Sequence, residues 1–191
     1  MVTTTTPRGA RSEQAILDAT RELLAEGGVR RLSVEGVAAR SGVAKTTIYR
    51  HYRGKHELAL AVLIDMVEQV VSTPDLGDTR AELVAFVDAA VSILGSTLMG
   101  RVMQGLVSDL AADPGLATAF QERVVAMRIA EADRLLARGI ERGDLRADTD
   151  VELAHELLFG PVYYRLLLSG APLDDALAGR VVDAVMAAFR P

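Results

Sequence analysis

The sequence predicts an all-α protein of about nine helices. Apolar residues recur at intervals of three and four along almost all of the 191 positions, which is the period of amphipathic helices. Sustained apolar–polar alternation and Asn-Gly turns, which would indicate strands and hairpins, do not occur in the sequence. Because 50% of the residues are hydrophobic but only 4% are aromatic, the core must be built mainly from Ala, Val and Leu.

Glycine, proline and capping residues divide the chain into the predicted helices. Gly27-Gly28 stops the first helix, Ser33 is a candidate N-cap of the second, and Gly42 supplies the turn before the third. Ser72-Thr73-Pro74 closes the fourth helix. The predicted helices cover, in order, about 12–26, 33–40, 44–52, 55–71, 79–95, 98–112, 115–142, 149–168 and 172–189.

The second half of the chain carries the same kinds of signals. Asp113-Pro114-Gly115 separates the sixth helix from the seventh, and Arg142-Gly143-Asp144 ends the seventh. Thr149-Asp150-Val151-Glu152 has the pattern of a capping box, so Thr149 is expected to start the eighth helix. Pro161 should kink that helix, and Pro172 is expected to open the ninth.

Composition and charge predict three segments along the chain. We expect a disordered tail over 1–10, a helix-turn-helix domain over 11–56 and a larger helical domain over 57–191, linked through the fourth helix. Residues 1–56 hold ten basic and five acidic side chains, a balance of +5, whereas residues 57–191 hold eleven and twenty-one, a balance of −10. This asymmetry favours nucleic-acid binding by the N-terminal segment alone, because the acidic remainder would repel phosphate.

The third predicted helix is rich in hydrogen-bond donors. Ile48 and Tyr52, at i and i+4, account for its buried positions. From Ser41 to His56 the sequence contains no Asp or Glu, and both lysines of the chain fall in this stretch. A surface that meets phosphate should lack acids, so the sequence predicts a helix-turn-helix over about 33–52 whose second helix enters a DNA major groove. Its donor side chains are Lys45, Thr46, Thr47, Tyr49, Arg50 and His51.

Short segments of the N-terminal third form a recognisable combination. They are Ile16–Ala19, Leu23–Gly28, Ser33-Val34, Val37-Ala38, Ser41-Gly42-Val43, Thr47–Tyr52 and Lys55–Leu58. Through them the chain resembles the TetR family of bacterial transcriptional regulators. The resemblance is close over about residues 11–60, and beyond residue 75 it is one of architecture only, a run of helices ending in two that look like a dimerising pair.

The resemblance implies a DNA-contact role for each matching position. The contacts would be Lys45, Thr46 and Thr47 at base edges and phosphates, Tyr49, His51, Lys55 and Ser33 at phosphates, and Arg50 at either. Ala44 departs from the family, which often has a capping Ser there, so the third helix is expected to fray until DNA orders it. The alternatives are Ser33 as a cap alone, Tyr49 as a rim aromatic over the core, and His51 and Lys55 as ordinary surface side chains.

The resemblance also implies a small-molecule effector among the middle helices and a homodimer through the last two. The candidate pocket residues are Met66, Phe86, Met99, Arg101, Met103, Gln104, Met127 and Arg128. The candidate dimer residues are Phe159, Val162, Tyr163, Leu166, Leu167, Val181, Val185, Met186 and Phe189. Ordinary core packing within one chain is the alternative explanation for both sets.

Catalysis has little support in the sequence. The chain has no cysteine and three histidines, and Glu152-x-x-His155, half of a di-metal motif, occurs once. Glycine-rich phosphate loops and nucleophile elbows are missing, so we expect no enzyme activity, no catalytic residues, no metal and no cofactor. A secretory signal and a membrane-spanning apolar run are also missing, which predicts a cytoplasmic protein with no membrane partner.

These patterns together with the resemblance imply a regulator with three partners: a palindromic operator in double-stranded DNA, a second copy of the chain and an unidentified small-molecule effector. The expected activity is repression that is relieved by a small apolar or amphipathic ligand. The alternative is a helical ligand-binding or scaffold protein without DNA-binding activity. An activator or a global architectural protein would carry the same sequence features.

Overall fold

The computed structural model describes residues 8–68, 72–96 and 98–191. These residues form helices and connecting turns without a strand, which confirms the all-α prediction. The helices are α1 (Arg8–Arg31), α2 (Val34–Ser41), α3 (Lys45–His51), α4 (Lys55–Glu68), α5 (Thr79–Ser96), α6 (Leu98–Ala112), α7 (Pro114–Phe120), α8 (Ala126–Glu141), α9 (Val151–Tyr164) and α10 (Ala176–Ala188).

Two π-helical segments complete the helical part. Gln121–Val125 joins α7 to α8, and Arg165–Ser169 continues α9. When the continuous stretch 114–141 is taken as one helix, the described residues contain nine helices, as the sequence predicts. Among them no single helix is long and apolar enough to cross a bilayer, and only α5 and α6 taken together reach that length and apolarity, as a bent pair.

The helices group into two compact units that do not follow the chain order. One unit comprises Met1–Gln69 and Arg101–Phe120, and the other comprises Val70–Gly100 and Gln121–Pro191. We call them the N-terminal and the C-terminal unit. The sequence placed α4 and the stretch 101–120 in the C-terminal domain, whereas packing groups both with the first three helices. Of the predicted tail, residues 8–10 are helical and the rest lies outside the described residues.

In the N-terminal unit, α1 packs against α2 and α4, and α2 packs against α3. Ser33 caps α2, since its hydroxyl oxygen accepts from the Gly36 amide at 3.1 Å, and Gly42 ends α2 in the left-handed region at φ 70°. Both sequence predictions are thereby confirmed. The helical stretch over Arg8–Arg31 is interrupted at Gly28, whose φ of 64° and ψ of −175° are not helical, so the predicted stop at Gly27-Gly28 is confirmed; a short further helical segment leads to Arg31.

In the C-terminal unit, α5 packs against α8 and α10, and α9 packs against α8 and α10. Two predicted helix starts are wrong. The N-cap of α9 is Asp150, whose carboxylate accepts from the Leu153 amide at 3.0 Å, while the Thr149 hydroxyl donates to a backbone carbonyl. α10 begins at Ala176 instead of Pro172; its N-cap residue, Asp175, makes no side-chain capping hydrogen bond, and the Ala176 amide donates to the Asp174 carboxylate at 3.1 Å.

Candidate nucleic-acid interface

One buried side chain anchors α3 to the N-terminal unit. Ile48 is 0% exposed, and it joins Ile16 and Leu24 of α1 and Val37 of α2 in the core of this unit. Most of its neighbours on α3 face solvent, and the Tyr49 side chain is 52% exposed. Since one position is buried and the flanking positions are not, α3 presents its polar side chains outwards, as a recognition helix must.

The structure brings the predicted contact residues of α3 onto one exposed surface. Thr47 is half-buried, and the remaining side chains are exposed. Arg50 and His51 lie next to each other, with Nη2 of Arg50 3.4 Å from Nε2 of His51. A groove of about 470 Å³ runs beside them, lined by Gly9, Ser12, Glu13, Ile16, Thr47, Arg50, His51 and Tyr52. The exposed donors of α3 are Lys45, Thr46, Tyr49, Arg50 and His51.

Ala44 is the N-cap residue of α3 and makes no side-chain capping hydrogen bond, as its side chain dictates. Its carbonyl accepts from the Thr47 amide at 2.9 Å and from the Ile48 amide at 3.2 Å. The first turn of α3 is therefore held by backbone hydrogen bonds and by Ile48. Fraying of α3 before DNA binding stays a prediction.

Some basic side chains of the stretch 41–56, which contains no Asp or Glu, form ion pairs with acidic residues outside it. Nζ of Lys45 donates to Glu35 of α2 at 3.1 Å, and both side chains are more than half exposed. A backbone hydrogen bond lowers the pKa of Glu35, and the hydrogen bond and charge of Lys45 lower it further. Lys45 is thus tethered to α2 in the free protein, which the sequence reading missed because the two residues belong to different helices.

The turn between α3 and α4 shows the same arrangement. Arg53 is paired with Glu57, and its guanidinium lies 4.0 Å from Asp113. Nε2 of His56 lies 3.5 Å from an oxygen of Asp109. Lys55, the first residue of α4, is half-buried and has no ion pair among the described residues. Among the charged side chains of this stretch, Arg50, which is exposed, and Lys55, which is half-buried, have no acidic partner within the described residues.

The predicted pocket residues divide between the units. Met66, Arg101, Met103 and Gln104 belong to the N-terminal unit, and Phe86, Met99, Met127 and Arg128 belong to the C-terminal unit. Met99 and Met103 are buried, whereas Arg101, Gln104 and Met127 are exposed. Within the C-terminal unit, Phe86 and Arg128 meet at a third side chain, Phe159.

Phe159 is the centre of a four-residue cluster that the sequence did not foresee. The rings of Phe86 and Phe159 pack edge to face with centroids 5.2 Å apart, and the guanidinium carbon of Arg128 lies 4.8 Å from the Phe159 centroid. The His155 ring lies 5.2 Å from the same centroid. We call Phe86, Arg128, His155 and Phe159 the Phe159 cluster. Phe159 is 2% exposed, so it faces the interior of this unit.

His155 is half-buried and contributes a polar imidazole ring to this cluster. Its Nε2 atom is buried and has no hydrogen-bond partner among the described residues. Burial lowers the pKa of His155, and the charge of Arg128 lowers it further against the opposing charges of Asp133 and Glu156. The neutral form of the imidazole is therefore favoured. Within the described ranges no group of three or more His, Cys, Asp or Glu side chains could hold a metal.

Most predicted dimer residues point into the C-terminal unit. The exposed apolar side chains of α9 and the segment that continues it are Leu153, Leu157, Tyr164 and Leu168, and the last is 78% exposed. These residues and Pro161 recur at intervals of three and four, so they share one face of a helix. The sequence already contains this pattern, but the dimer prediction did not include these four side chains. A groove of about 450 Å³ between α9 and α10 is lined by Leu157, Pro161, Arg165, Leu177, Arg180, Val181, Ala184, Val185 and Ala188. The buried predicted residues are Phe159, Val162, Val181, Val185 and Phe189, and the half-buried ones are Tyr163, Leu166, Leu167 and Met186.

The all-helical fold and the exposed donor face of α3 define a helix-turn-helix, DNA-binding transcriptional regulator. Residues 16–62 match the family model described as "Bacterial regulatory proteins, tetR family", and residues 73–185 match the "Tetracyclin repressor-like, C-terminal domain". The chain belongs to the TetR family of bacterial transcriptional regulators.

Individual relatives span nearly the whole chain. An uncharacterized HTH-type transcriptional regulator, YdeS of Bacillus subtilis, is 32% identical over 96% of this chain and 91% of its own length. The DNA-binding transcriptional repressor TetR of Mycobacteroides abscessus is 31% identical over 94% of each protein. The crystal structure of the TetR family transcription regulator SCO0332 is similar with a TM-score of 0.79 at 36% identity, covering 95% of this chain and all of that one.

Proposed function

We propose that this regulator is a repressor that binds a palindromic operator as a homodimer and is released by a small ligand. The observation that carries the proposal is the face of α3, where exposed donors surround the buried anchor Ile48. Thr46 and Arg50 would read base edges, since a hydroxyl and a guanidinium can both donate there. Tyr49 and Lys55 would position the helix on phosphates.

Selection of bound sequences from random duplex DNA tests the DNA-binding part. We expect an enriched palindrome whose half-sites lie about 34–36 Å apart or a multiple of that distance. Arg50→Ala should weaken binding to the selected sequence by about tenfold or more, because an arginine contact to a base or phosphate is lost. Arg190→Ala removes the same charge from an exposed site of the C-terminal unit and serves as the matched control. Equal affinity of both variants, or no enriched sequence, would refute this part and favour a ligand-binding protein without DNA.

A second copy of the chain is the partner proposed for the exposed apolar stripe. Leu153, Leu157, Tyr164 and Leu168 follow one face of α9 and its continuation, beside the α9–α10 groove. A row of exposed apolar side chains on α9, beside a groove that α10 also lines, favours a four-helix interface related by a twofold axis. The proposed interface uses the same two helices, α9 and α10, as the sequence prediction, but it involves their exposed side chains instead of the buried ones.

The oligomeric state of the protein in solution tests the proposed dimer interface directly. We expect sedimentation to give a dimer for the native chain and a monomer for Leu157→Glu, because a charge would be buried in the interface. Val107→Glu, at an exposed apolar position of α6, is the control and should stay dimeric. A dimeric Leu157→Glu variant with a native circular dichroism spectrum would contradict the assignment of this face.

Release by a ligand is supported by the mixed character of the Phe159 cluster and by a relative. One solved structure of this fold, 25% identical with a TM-score of 0.65, is the SmeT–triclosan complex. A ligand that binds better to a conformation with wrongly spaced recognition helices would lower operator affinity by the ratio of its two affinities. A screen for compounds that lower operator binding in fluorescence anisotropy tests this part.

A further inference from the structure

We propose that the Phe159 cluster binds the carboxylate of an amphipathic organic acid, with Arg128 and His155 as donors beside the apolar rings of Phe86 and Phe159. The inference rests on the proposed ligand-relieved function and names the chemical class of its ligand. It concerns side chains of the C-terminal unit only.

Arg128 differs from its neighbours along α8. Arg134 pairs with Glu131 at 2.6 Å and Arg138 pairs with Glu82 at 2.6 Å, so both guanidinium groups have a fixed carboxylate. Arg128 lies over the face of Phe159 instead, and it has no ion pair among the described residues. A half-buried guanidinium without a counter-charge favours binding of an anion.

His155 supplies the second polar group. A buried ring nitrogen without a hydrogen-bond partner is unfavourable unless another molecule satisfies it. Because burial and Arg128 lower the pKa of the imidazole, its neutral form is favoured, and in the tautomer with the proton on Nε2 this nitrogen can donate one hydrogen bond. A guanidinium together with one neutral imidazole N–H matches the two oxygens of a single carboxylate. The more highly charged phosphate usually takes several cationic or backbone donors.

The acidic side chains and aromatic rings near Arg128 limit the chemical class of the ligand further. Asp133 and Glu156 are exposed, and their charges act on His155, but neither forms an ion pair with Arg128. The edge-to-face pair of Phe86 and Phe159 gives the cluster a rigid apolar part. A cationic ligand would be repelled by Arg128, and a neutral one would leave that charge unpaired. An acid with an apolar body satisfies both parts of the cluster.

Direct binding to the full-length protein without DNA tests the inference. The probes are two matched pairs, 2-naphthoate with 2-naphthol and decanoate with 1-decanol, measured by calorimetry and thermal shift. We expect at least one acid to bind about tenfold or more tightly than its alcohol, because only the acid gains the charge-assisted hydrogen bonds. Arg128→Gln and His155→Phe should each remove most of that preference while the alcohol binds as before. Arg190→Gln, the matched control, should keep it.

The outcomes separate this inference from the proposed function. If no acid binds, if the alcohols bind equally well, or if Arg128→Gln weakens acid and alcohol alike, the carboxylate assignment is wrong, and a neutral ligand that releases DNA would leave the proposed function intact. If acids bind with the expected preference but the protein binds no DNA, the proposed function fails and the assignment of the cluster stands. Thermal unfolding of each variant without probe shows that the loss of preference does not come from unfolding.

Discussion

Two arginines of the C-terminal unit and one arginine of the N-terminal unit have opposite surroundings. In the C-terminal unit, Arg138 and Arg142 converge on Glu82, a carboxylate with 0% exposure, at 2.6 and 3.0 Å. In the N-terminal unit, Arg50 is exposed, and its Nη2 atom lies 3.4 Å from a ring nitrogen of His51. The first pair of arginines fixes α8 and the turn after it to α5, whereas Arg50 is left free for an external partner. The buried pairs of Arg138 and Arg142 are therefore structural, whereas Arg50 belongs to the proposed DNA-binding surface.

Loss of the buried carboxylate should have the largest effect. Glu82→Gln leaves two guanidinium groups without their counter-charge and weakens the acceptor for the Leu76 amide, which Glu82 now accepts from at 2.8 Å. Breaking a buried ion pair on one side costs about 3 kcal/mol or more, so the free energy of unfolding in urea should fall by about that amount. Asp183→Asn breaks the exposed pair with Arg80 and should change it little. Equal losses in the two variants would show that burial does not separate the two kinds of pair.

The same carboxylate should give the protein an acid-dependent stability. Burial by itself raises the pKa of Glu82, but hydrogen bonds from Arg142, Arg138 and the Leu76 amide outweigh it and lower the pKa to about 2. A folded-state pKa below the usual 4.5 stabilises the fold above pH 4.5, and that contribution is lost as the pH falls towards 2. The stability difference between native protein and Glu82→Gln should shrink over this range in urea titrations. A constant difference from pH 6 to pH 3 would refute the ionised state of Glu82.

On the other unit, Lys55 should contribute to affinity without contributing to sequence preference. Lys55→Ala should weaken binding to all duplexes by about three- to tenfold and reduce the slope of log Kd against log salt by about one, because one phosphate contact is lost. Anisotropy titrations at several salt concentrations measure both quantities. Lys55→Arg keeps the charge and should keep the slope. A changed sequence preference in Lys55→Ala would place this side chain at a base instead of a phosphate.

The smallest effect should come from the acid that tethers Lys45. Glu35→Gln removes the exposed ion pair that now holds Lys45 to α2 and also removes one negative charge beside the DNA-facing surface. DNA affinity should rise by about twofold, since such exposed pairs are weak and a repulsive charge is lost. Glu22→Gln, which removes an exposed acid that pairs with Arg40, is the control, measured in the same anisotropy assay. Weaker binding of Glu35→Gln would mean that the tether positions Lys45 for its contact.

The local features of the fold could be read from the sequence, because they depend on short-range rules. Ser33, Gly42 and Ile48 each have a role set by neighbours within four residues, as cap, turn and anchor, and the structure agrees with all three. Thr149 and Asp150 stand side by side and both can cap; the capping-box pattern favours Thr149, whereas the structure has Asp150 as the cap.

Pairings between helices could not be predicted in this way. Hydrophobic period tells which residues of α9 share a face, but it does not tell whether that face meets the same chain or another one. Phe159 was therefore assigned to a dimer, while it lies in the core with Arg128 over its ring. The link between Lys45 and Glu35 was missed for the same reason, since it joins two helices across a turn. Each of these contacts depends on tertiary packing, which the local pattern leaves undetermined.

The π-helical segment after α9 sets the rotational phase of the chain that follows it. Its hydrogen bonds span one residue more than those of an α-helix, as in the bond from the Gly170 amide to the Arg165 carbonyl at 3.0 Å. One extra residue amounts to about 100° of rotation around the helix axis. In a regular α-helix the residues of this segment would point at different angles around the axis. The direction in which Leu168 points therefore depends on the local helical period as well as on its distance along the sequence from Leu153 and Leu157.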